Sequence, residues 1–362
     1  MLLSMNPCLE PSRIFTGLNQ LLREVVISAL HGRPVDEHQM PEGLYAAVFS
    51  NGPTVEKISN FCTSVSTLMN ADKASLLAAI DANIEPTNFL GDRSVPLVAI
   101  PDTIFKELKQ LAVHLYERTA DLAGVETTCG ETVSDHFSRF RDSAPPGNGN
   151  ICCVCGTESL AQMRSSAEDG QWRGPYDHIL PKDKYPLYGI HPGNLIPICQ
   201  TCNSKAKLAK DLLFNGIHRR LSFYPWTEMV HPDEIQVGIS SDAGLPQLVI
   251  SLTSECPCRR EKLQTWDDIY KIRARVKGEF LPLVEKIFED IPVETEAAFL
   301  AGLRHSANAR ACKVRLTAFN YWRARLYMAV IEMEQGAREA LRETIKGEAP
   351  ADIEMNALFF SP

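Results

Sequence analysis

The stretch YDHILPKDKYPLYGIHPGNLIPICQTCNSKAK, residues 176–207, decides how this chain folds. It carries a CxxC pair, Cys199 and Cys202, near its end, and a second pair, Cys152 and Cys155, lies upstream. A CxxC knuckle offers two thiolates to one metal ion while backbone amides hydrogen-bond the sulfurs. Two knuckles complete a closed, tetrahedral site of the structural zinc type. The expected zinc ligands are therefore Cys152, Cys155, Cys199 and Cys202, with Cys153 as the spare thiol. Such a site supplies about 10–16 kcal/mol to folding, enough to shape a segment without long apolar periodicity. A simple zinc ribbon has about 15–20 residues between its pairs. Here 43 intervene, so something is inserted between the ligands.

Within the insert, Tyr176–Leu180 reads as a short strand stopped by Pro181, and Asn194–Ile198 as a second. Thr201–Phe214 reads as a helix with Leu208, Leu212 and Leu213 on one face. With DHILP, NLIPIC and CQTCNSK in that order, residues 152–213 resemble the HNH, or ββα-metal, nuclease family. The resemblance implies phosphodiester hydrolysis. It assigns His178 as general base and Asp177 and Asn203 as ligands of one catalytic cation. It also has Asn194 bond backbone across the hairpin to hold His178 in place. An imidazole titrates near neutrality and so can take a proton from water. If it wanders by about 1 Å the rate can fall about 100-fold.

Asn203 stands where many members of the family have histidine. A carboxylate plus an amide oxygen is a hard-oxygen set, so the expected ion is Mg²⁺ or Mn²⁺. Lys205, Lys207 and Lys210 follow the second knuckle and are expected to contact substrate phosphates, against the alternative of a solvated face. His191 reads as a loop histidine, with a role as ligand or phosphate contact as the alternative; His218 and His231 are peripheral.

Around this module the chain is helical, so the expected class is mainly α with a small zinc-stapled α+β module in the middle. Residues 1–142 form the first helical part, with apolar spacing over Ile14–Leu30, Val55–Met69, Lys73–Ile80 and Ile104–Leu122. SAPPGNGN, residues 143–150, is a linker, and 151–224 is the module. Residues 225–264 connect through a hairpin of Ile235–Ser240 and Gln247–Leu252, turning at Asp242-Ala243-Gly244. Residues 265–362 are helical, over Trp266–Ile291, Glu294–Gly302 and Ala307–Lys346. No apolar run approaches about 18 residues, which argues against a membrane span. The N-terminus lacks the pattern of a signal peptide, so a reducing cytoplasm is expected, where clustered cysteines hold metal.

The 362 residues carry a net charge of −8, which on its own counts against a nucleic-acid binder. The average hides a reversal. Residues 151–224 hold nine Lys/Arg against six Asp/Glu, and the remainder 28 against 39. A second basic segment, 304–325, contains Arg315 and Arg323 with Tyr321 and Trp322 interleaved and no acids. It is expected to bind nucleic acid, against the alternative of arginines lying along the core. DNA is the favoured substrate, RNA including tRNA the alternative, and a non-catalytic zinc module the reading of a different class. KLQTWDDIYKIRAR, residues 262–275, and NYWRARLYMAV, residues 320–330, are faintly similar to the nuclease subunits of Septu-like anti-phage systems. That resemblance implies a separate ATPase partner, since the chain has no phosphate-binding loop of its own.

Overall fold

In the computed structural model, residues 1–5, 11–82, 85–142, 148–161, 174–240, 247–280 and 287–346 are described. The protein is mainly helical, with small central β-hairpins. The first helical part comprises α1 (Arg13–His31), α2 (Leu44–Phe49), α3 (Gly52–Ser66), α4 (Asn70–Asp81), α5 (Pro86–Gly91), α6 (Asp102–Glu117), α7 (Ala123–Cys129) and α8 (Val133–Asp142). Caps explain several boundaries. The Ser12 hydroxyl accepts the Phe15 amide at the start of α1, and Gly32 closes that helix in the left-handed region. Asn51 caps α3 through the Thr54 amide, ahead of which Pro53 occupies the first turn. The apolar stripe Ile104, Leu108, Leu111 and Leu115 of α6 is buried, and α6 packs on α3.

The central segment begins with a zinc-knuckle loop closed by an Ile151–Ser159 bridge. Strand β1 (Tyr176–His178) then pairs antiparallel with β2 (Leu195–Pro197), setting His178 opposite Leu195. Gly174 leads into β1 where a Cβ would lie 2.4 Å from the Ile198 carbonyl oxygen, so only glycine fits. Of the helix expected over 201–214, only Thr201–Lys207 is helical, as a short π-helix whose wide turn brings the Leu208 amide to the Asn203 carbonyl. Leu208 ends it at φ 53°, ψ −130°, a conformation that costs about 1–3 kcal/mol for a non-glycine residue. The chain then forms a tight hairpin, β3 (Phe214–Asn215) with β4 (His218–Arg219), through Gly216 at φ 60°. Gly216 and Ile217 are the two turn residues, with glycine at the first central position, and Leu212 and Leu213 are buried without any helical face.

Strands β5 (Ile235–Ser240) and β6 (Gln247–Leu252) pair antiparallel, as the expected hairpin requires, with Ile235 opposite Leu252; residues 241–246, where the turn was expected, lie outside the described residues. The last part holds α9 (Pro257–Tyr270), α10 (Ile272–Phe280), α11 (Glu296–Ala311), α12 (Asn320–Glu332) and α13 (Gln335–Ile345). Two long helices expected here are divided. Lys271 is left-handed at φ 54°, and the Asp267 carboxylate, accepting the Arg273 amide at 2.8 Å, starts the next helix instead. Phe319, at φ 65°, gives its amide to the Gly156 carbonyl at 2.9 Å, which breaks the expected 307–346 helix against the first knuckle. Residues 143–147 of the expected linker, 281–286 and 347–362 lie outside the described residues.

All parts contribute to one apolar cluster. The Tyr176 ring meets Phe15 of α1 edge-on at 5.3 Å and bonds His136 of α8 through its hydroxyl at 2.5 Å. The β1–β2 pair is thereby seated on the first helical part, while α9 and α12 press on the knuckle from the other side. Among the described residues no helix is long and apolar enough to cross a membrane.

Candidate functional site

The four cysteines of the two pairs converge. Cys152, Cys155, Cys199 and Cys202 are buried with their sulfurs all within 4.8 Å of one another. Cys155 and Cys199 stand 3.8 Å apart and Cys152 and Cys202 4.0 Å, far beyond a disulfide bond of about 2.0 Å. Sulfurs at about 2.3 Å from a tetrahedral zinc would be about 3.8 Å from each other. The spacing is consistent with one zinc ion. Cys153 is buried outside the cluster.

Hydrogen bonds point at the sulfurs as they do around anionic thiolates. The Thr157 hydroxyl lies 3.2 Å from Cys155 Sγ, the Cys199 amide 3.4 Å from Cys152 Sγ, and the Cys202 amide 3.4 Å from Cys199 Sγ. Arg275 of α10 donates through Nη1 to Cys202 Sγ at 3.2 Å, bringing a cation to the cluster. Its neighbouring thiol sulfurs raise the Arg275 pKa against the opposing effect of burial. Two indoles secure the first knuckle: Trp266 Nε1 donates to the Val154 carbonyl at 3.1 Å and Trp322 Nε1 to that of Cys155 at 2.7 Å.

Beside the cluster, a cavity of about 380 Å³ is lined by Asp177, His178, Asn203, Lys182, Lys207 and Tyr116, among others. His178 donates from Nε2 to the Gly189 carbonyl at 2.9 Å. A carbonyl only accepts, so the proton sits on Nε2 and Nδ1 keeps its lone pair. Burial, then the ammonium groups of Lys182 and Lys207, push the imidazolium pKa down to about 3, which leaves the ring neutral at pH 7. Tyr116 of α6 meets the ring edge-on at 4.6 Å. Asn194 is fully buried and is not on the cavity wall. Its side chain accepts the Leu180 amide at 2.7 Å and donates to the carbonyls of Leu180 and Tyr188 at 3.0 and 2.8 Å. These bonds tie the loop to the hairpin directly behind His178.

Lys207 departs most from expectation. It is buried, not presented to solvent, with Nζ 2.7 Å from Asp177 Oδ1 and 2.5 Å from the His178 carbonyl oxygen. The wide turn at 201–207 faces it inward. The other Asp177 oxygen accepts the Tyr270 hydroxyl at 3.3 Å. Asp177 and Asn203 thus line one cavity, but both oxygens of that carboxylate are engaged, one by a lysine of the chain itself.

Of the other expected contacts, Lys205 is exposed, while Lys210 is half-buried and donates to the Ala206 and Ile269 carbonyls at 2.6 and 3.3 Å. Arg315 is engaged inside the molecule, donating to the Asn148 carbonyl at 3.2 Å and to Ser4. Arg323 is half-buried on α12, and burial lowers its pKa, with Arg310 nearby adding to the effect. Of the basic segment 304–325, Arg310, Arg315, Arg323 and Arg325 are half-buried while Arg304 and Lys313 are exposed. His191 pairs with Glu85 at 3.2 Å and accepts the Gly193 amide at Nδ1, so both ring nitrogens are occupied.

Tyr116, Lys182 and Asp183 are lining residues that sequence reasoning missed. Lys182 and Asp183 follow Pro181 directly, a local signal, whereas Tyr116 is an ordinary position of an amphipathic helix. Compared with models of protein families, with curated proteins and with solved structures, the chain matches none.

Proposed function

We propose that the protein is a metal-dependent HNH-type endonuclease hydrolysing phosphodiester bonds, with DNA the favoured substrate. The observation that carries this reading is the cavity beside the four-thiol cluster, where a neutral histidine, a carboxylate and an amide share one wall. The cluster would hold a structural zinc ion and fix the turn that carries Asn203. Asp177 and Asn203 would hold Mg²⁺ or Mn²⁺, and an ion there would supply Lewis-acid stabilisation of charge on the phosphate. One carboxylate and one amide suit an ion that keeps several waters. His178 would accept the proton of the attacking water at Nδ1, with its Nε2–H bond to Gly189 fixing the ring, but with its pKa pushed down to about 3 it is a weaker base than the near-neutral imidazole expected from the sequence. Asn194 keeps the Leu180–Tyr188 loop, and so Gly189, in register with that ring. Tyr116 limits its rotation.

The Lys207–Asp177 ion pair favours a second reading, a zinc module that binds nucleic acid without cutting it. One experiment separates them: cleavage of supercoiled plasmid, linear DNA and total RNA with Mg²⁺, Mn²⁺ or Zn²⁺. The nuclease reading expects cleavage with Mg²⁺ or Mn²⁺ that His178→Ala abolishes at unchanged zinc content. Normal cleavage by His178→Ala sinks the assigned site, and binding with no cleavage by the wild type selects the second reading. Cleavage of RNA alone changes the substrate and keeps the chemistry. Co-purification with a large ATPase would support a role in anti-phage defence.

A further inference from the structure

The walls of the His178 cavity continue into a second hollow. Lys182 and Asp183 line the first and Lys184 the second; Leu208 lines the first, Lys210 the second, and Ala209 both. Along two separate chain segments, the two hollows are therefore one or two residues apart, at about 3.8 Å per Cα step. The second, of about 520 Å³, gathers four cations, Lys184, Lys210, Arg220 and Lys271, against Asp211 and Asp268. Asp211 is already occupied by the Tyr185 hydroxyl at 2.8 Å, the Leu213 amide at 2.9 Å and Lys184 at 3.3 Å. Among the described residues Asp268 pairs with Arg220 at 4.0 Å. Burial, with Lys271 and Arg220 close by, lowers the Lys210 pKa, as expected where like charges crowd in excess of anions. Two large aliphatic side chains stand in solvent nearby. Leu208 is 60% exposed beside the shared residue, and Ile217, 88% exposed, follows Gly216 of the hollow's rim.

We propose that this second hollow is a phosphate subsite for a nucleic-acid strand whose scissile phosphate lies in the His178 cavity, with Leu208 offering apolar surface to the bases between them. The inference rests on the nuclease reading for the position of the cut. Phosphates recur along one strand at about 3.4 Å of rise per nucleotide, so two adjacent hollows suit near-neighbour phosphates of one strand. Exposed aliphatic side chains beside a backbone track are used elsewhere as wedges between bases.

The test is binding of short labelled single-stranded DNA, duplex DNA and RNA by the full chain carrying His178→Ala, without added Mg²⁺ or Mn²⁺ and across a salt series. Lys271→Glu and Lys184→Ala are compared with Lys106→Ala, a lysine on α6 whose side chain is 77% exposed. Lys271→Glu should weaken binding about tenfold and flatten the slope of log affinity against log salt by about 0.7–0.9, with no change for Lys106→Ala. If the wild type cleaves, yet Lys271→Glu and Lys184→Ala bind like Lys106→Ala, the subsite is overturned and the nuclease reading stands. If binding depends on Lys271 while the wild type cuts nothing, the nuclease reading falls and the subsite stands. Binding of an acidic polypeptide through Lys271, with no binding of nucleic acid, overturns both.

Discussion

Replacing Lys207 by methionine should destabilise the protein far more than removal of a surface lysine. The side chain fits the same volume, but the 2% exposed Asp177 carboxylate loses the ammonium 2.7 Å from Oδ1 and keeps only the Tyr270 hydroxyl at 3.3 Å. Removing one partner of a buried ion pair costs about 3–5 kcal/mol, because the other charge stays behind without compensation. With an unfolding entropy of about 2.1 cal/mol/K per residue over this length, that corresponds to a fall in Tm of about 4–7 °C. The assay is thermal and urea unfolding of zinc-loaded protein for Lys207→Met, Asp177→Asn and the double variant. The double should lose less than the sum of the singles, by about 2 kcal/mol or more, since neither charge is then stranded. Mn²⁺ adds a second arm. If Asp177 takes a divalent ion, Mn²⁺ at 100 times its Kd restores about 2.7 kcal/mol to Lys207→Met by mass action. A Lys207→Met protein within about 1 kcal/mol of wild type that binds nucleic acid more weakly would refute this reasoning. It would put the ammonium at the surface, on a phosphate.

Three further outcomes follow from other contacts. The chain should carry one zinc ion. Arg275→Gln, which removes the cation 3.2 Å from Cys202 Sγ, should weaken zinc binding about 10–100-fold in a chelator-competition assay, and Cys199→Ser should lose the metal outright. Glu234 accepts a fork from Arg259 at 2.5 and 2.6 Å. Burial raises its pKa, but the fork and the His231 amide win and hold it at about 2, below an ordinary 4.5. A depressed carboxylate stabilises above its unfolded pKa and loses that contribution as pH falls through the folded one. Glu234→Gln should therefore cost about 3 kcal/mol at pH 7 and little near pH 2, and a pH-independent loss would contradict the assignment. Leu208→Gly relieves the φ 53° conformation and should gain about 1 kcal/mol in urea unfolding while binding nucleic acid less tightly; a loss of stability would show that the leucine packs.

The legible parts of the sequence were those with a short-range code. The CxxC spacings marked all four thiols of the cluster, and two strand-like runs around a turn signal marked the β5–β6 hairpin. The helix expected over 201–214 forms only as far as Lys207, because Leu208 turns to a positive φ and Gly216 folds the chain back into a hairpin that the leucine spacing did not announce. Lys207 was misread for a related reason. On a continued helix it would sit on the solvated face with Lys205, whereas the wide turn rotates it inward onto Asp177. Tyr116 was invisible, since nothing local distinguishes a tyrosine packed on a histidine 62 positions later from one packed on a leucine. The long helices read over 266–291 and 307–346 failed at Lys271, where the nearby Asp267 carboxylate restarts the helix, and at Phe319, where a distant backbone carbonyl holds a left-handed residue that propensity does not favour.

The two indoles on the first knuckle set an order of events for a chain made from its N-terminus. Trp266 and Trp322 bond carbonyls 112 and 167 residues earlier. All four cysteines leave the ribosome before either tryptophan does, so the thiols can capture their metal first. The loops that remain to be closed are long, and contacts so distant in sequence form slowly. A nascent or prematurely terminated chain would therefore hold its metal in a half-walled module, with an apolar flank waiting for α9 and α12. At synthesis rates of about 5–20 residues per second, that interval lasts several seconds or more. Until α9 and α12 close over it, that apolar flank would be open to aggregation.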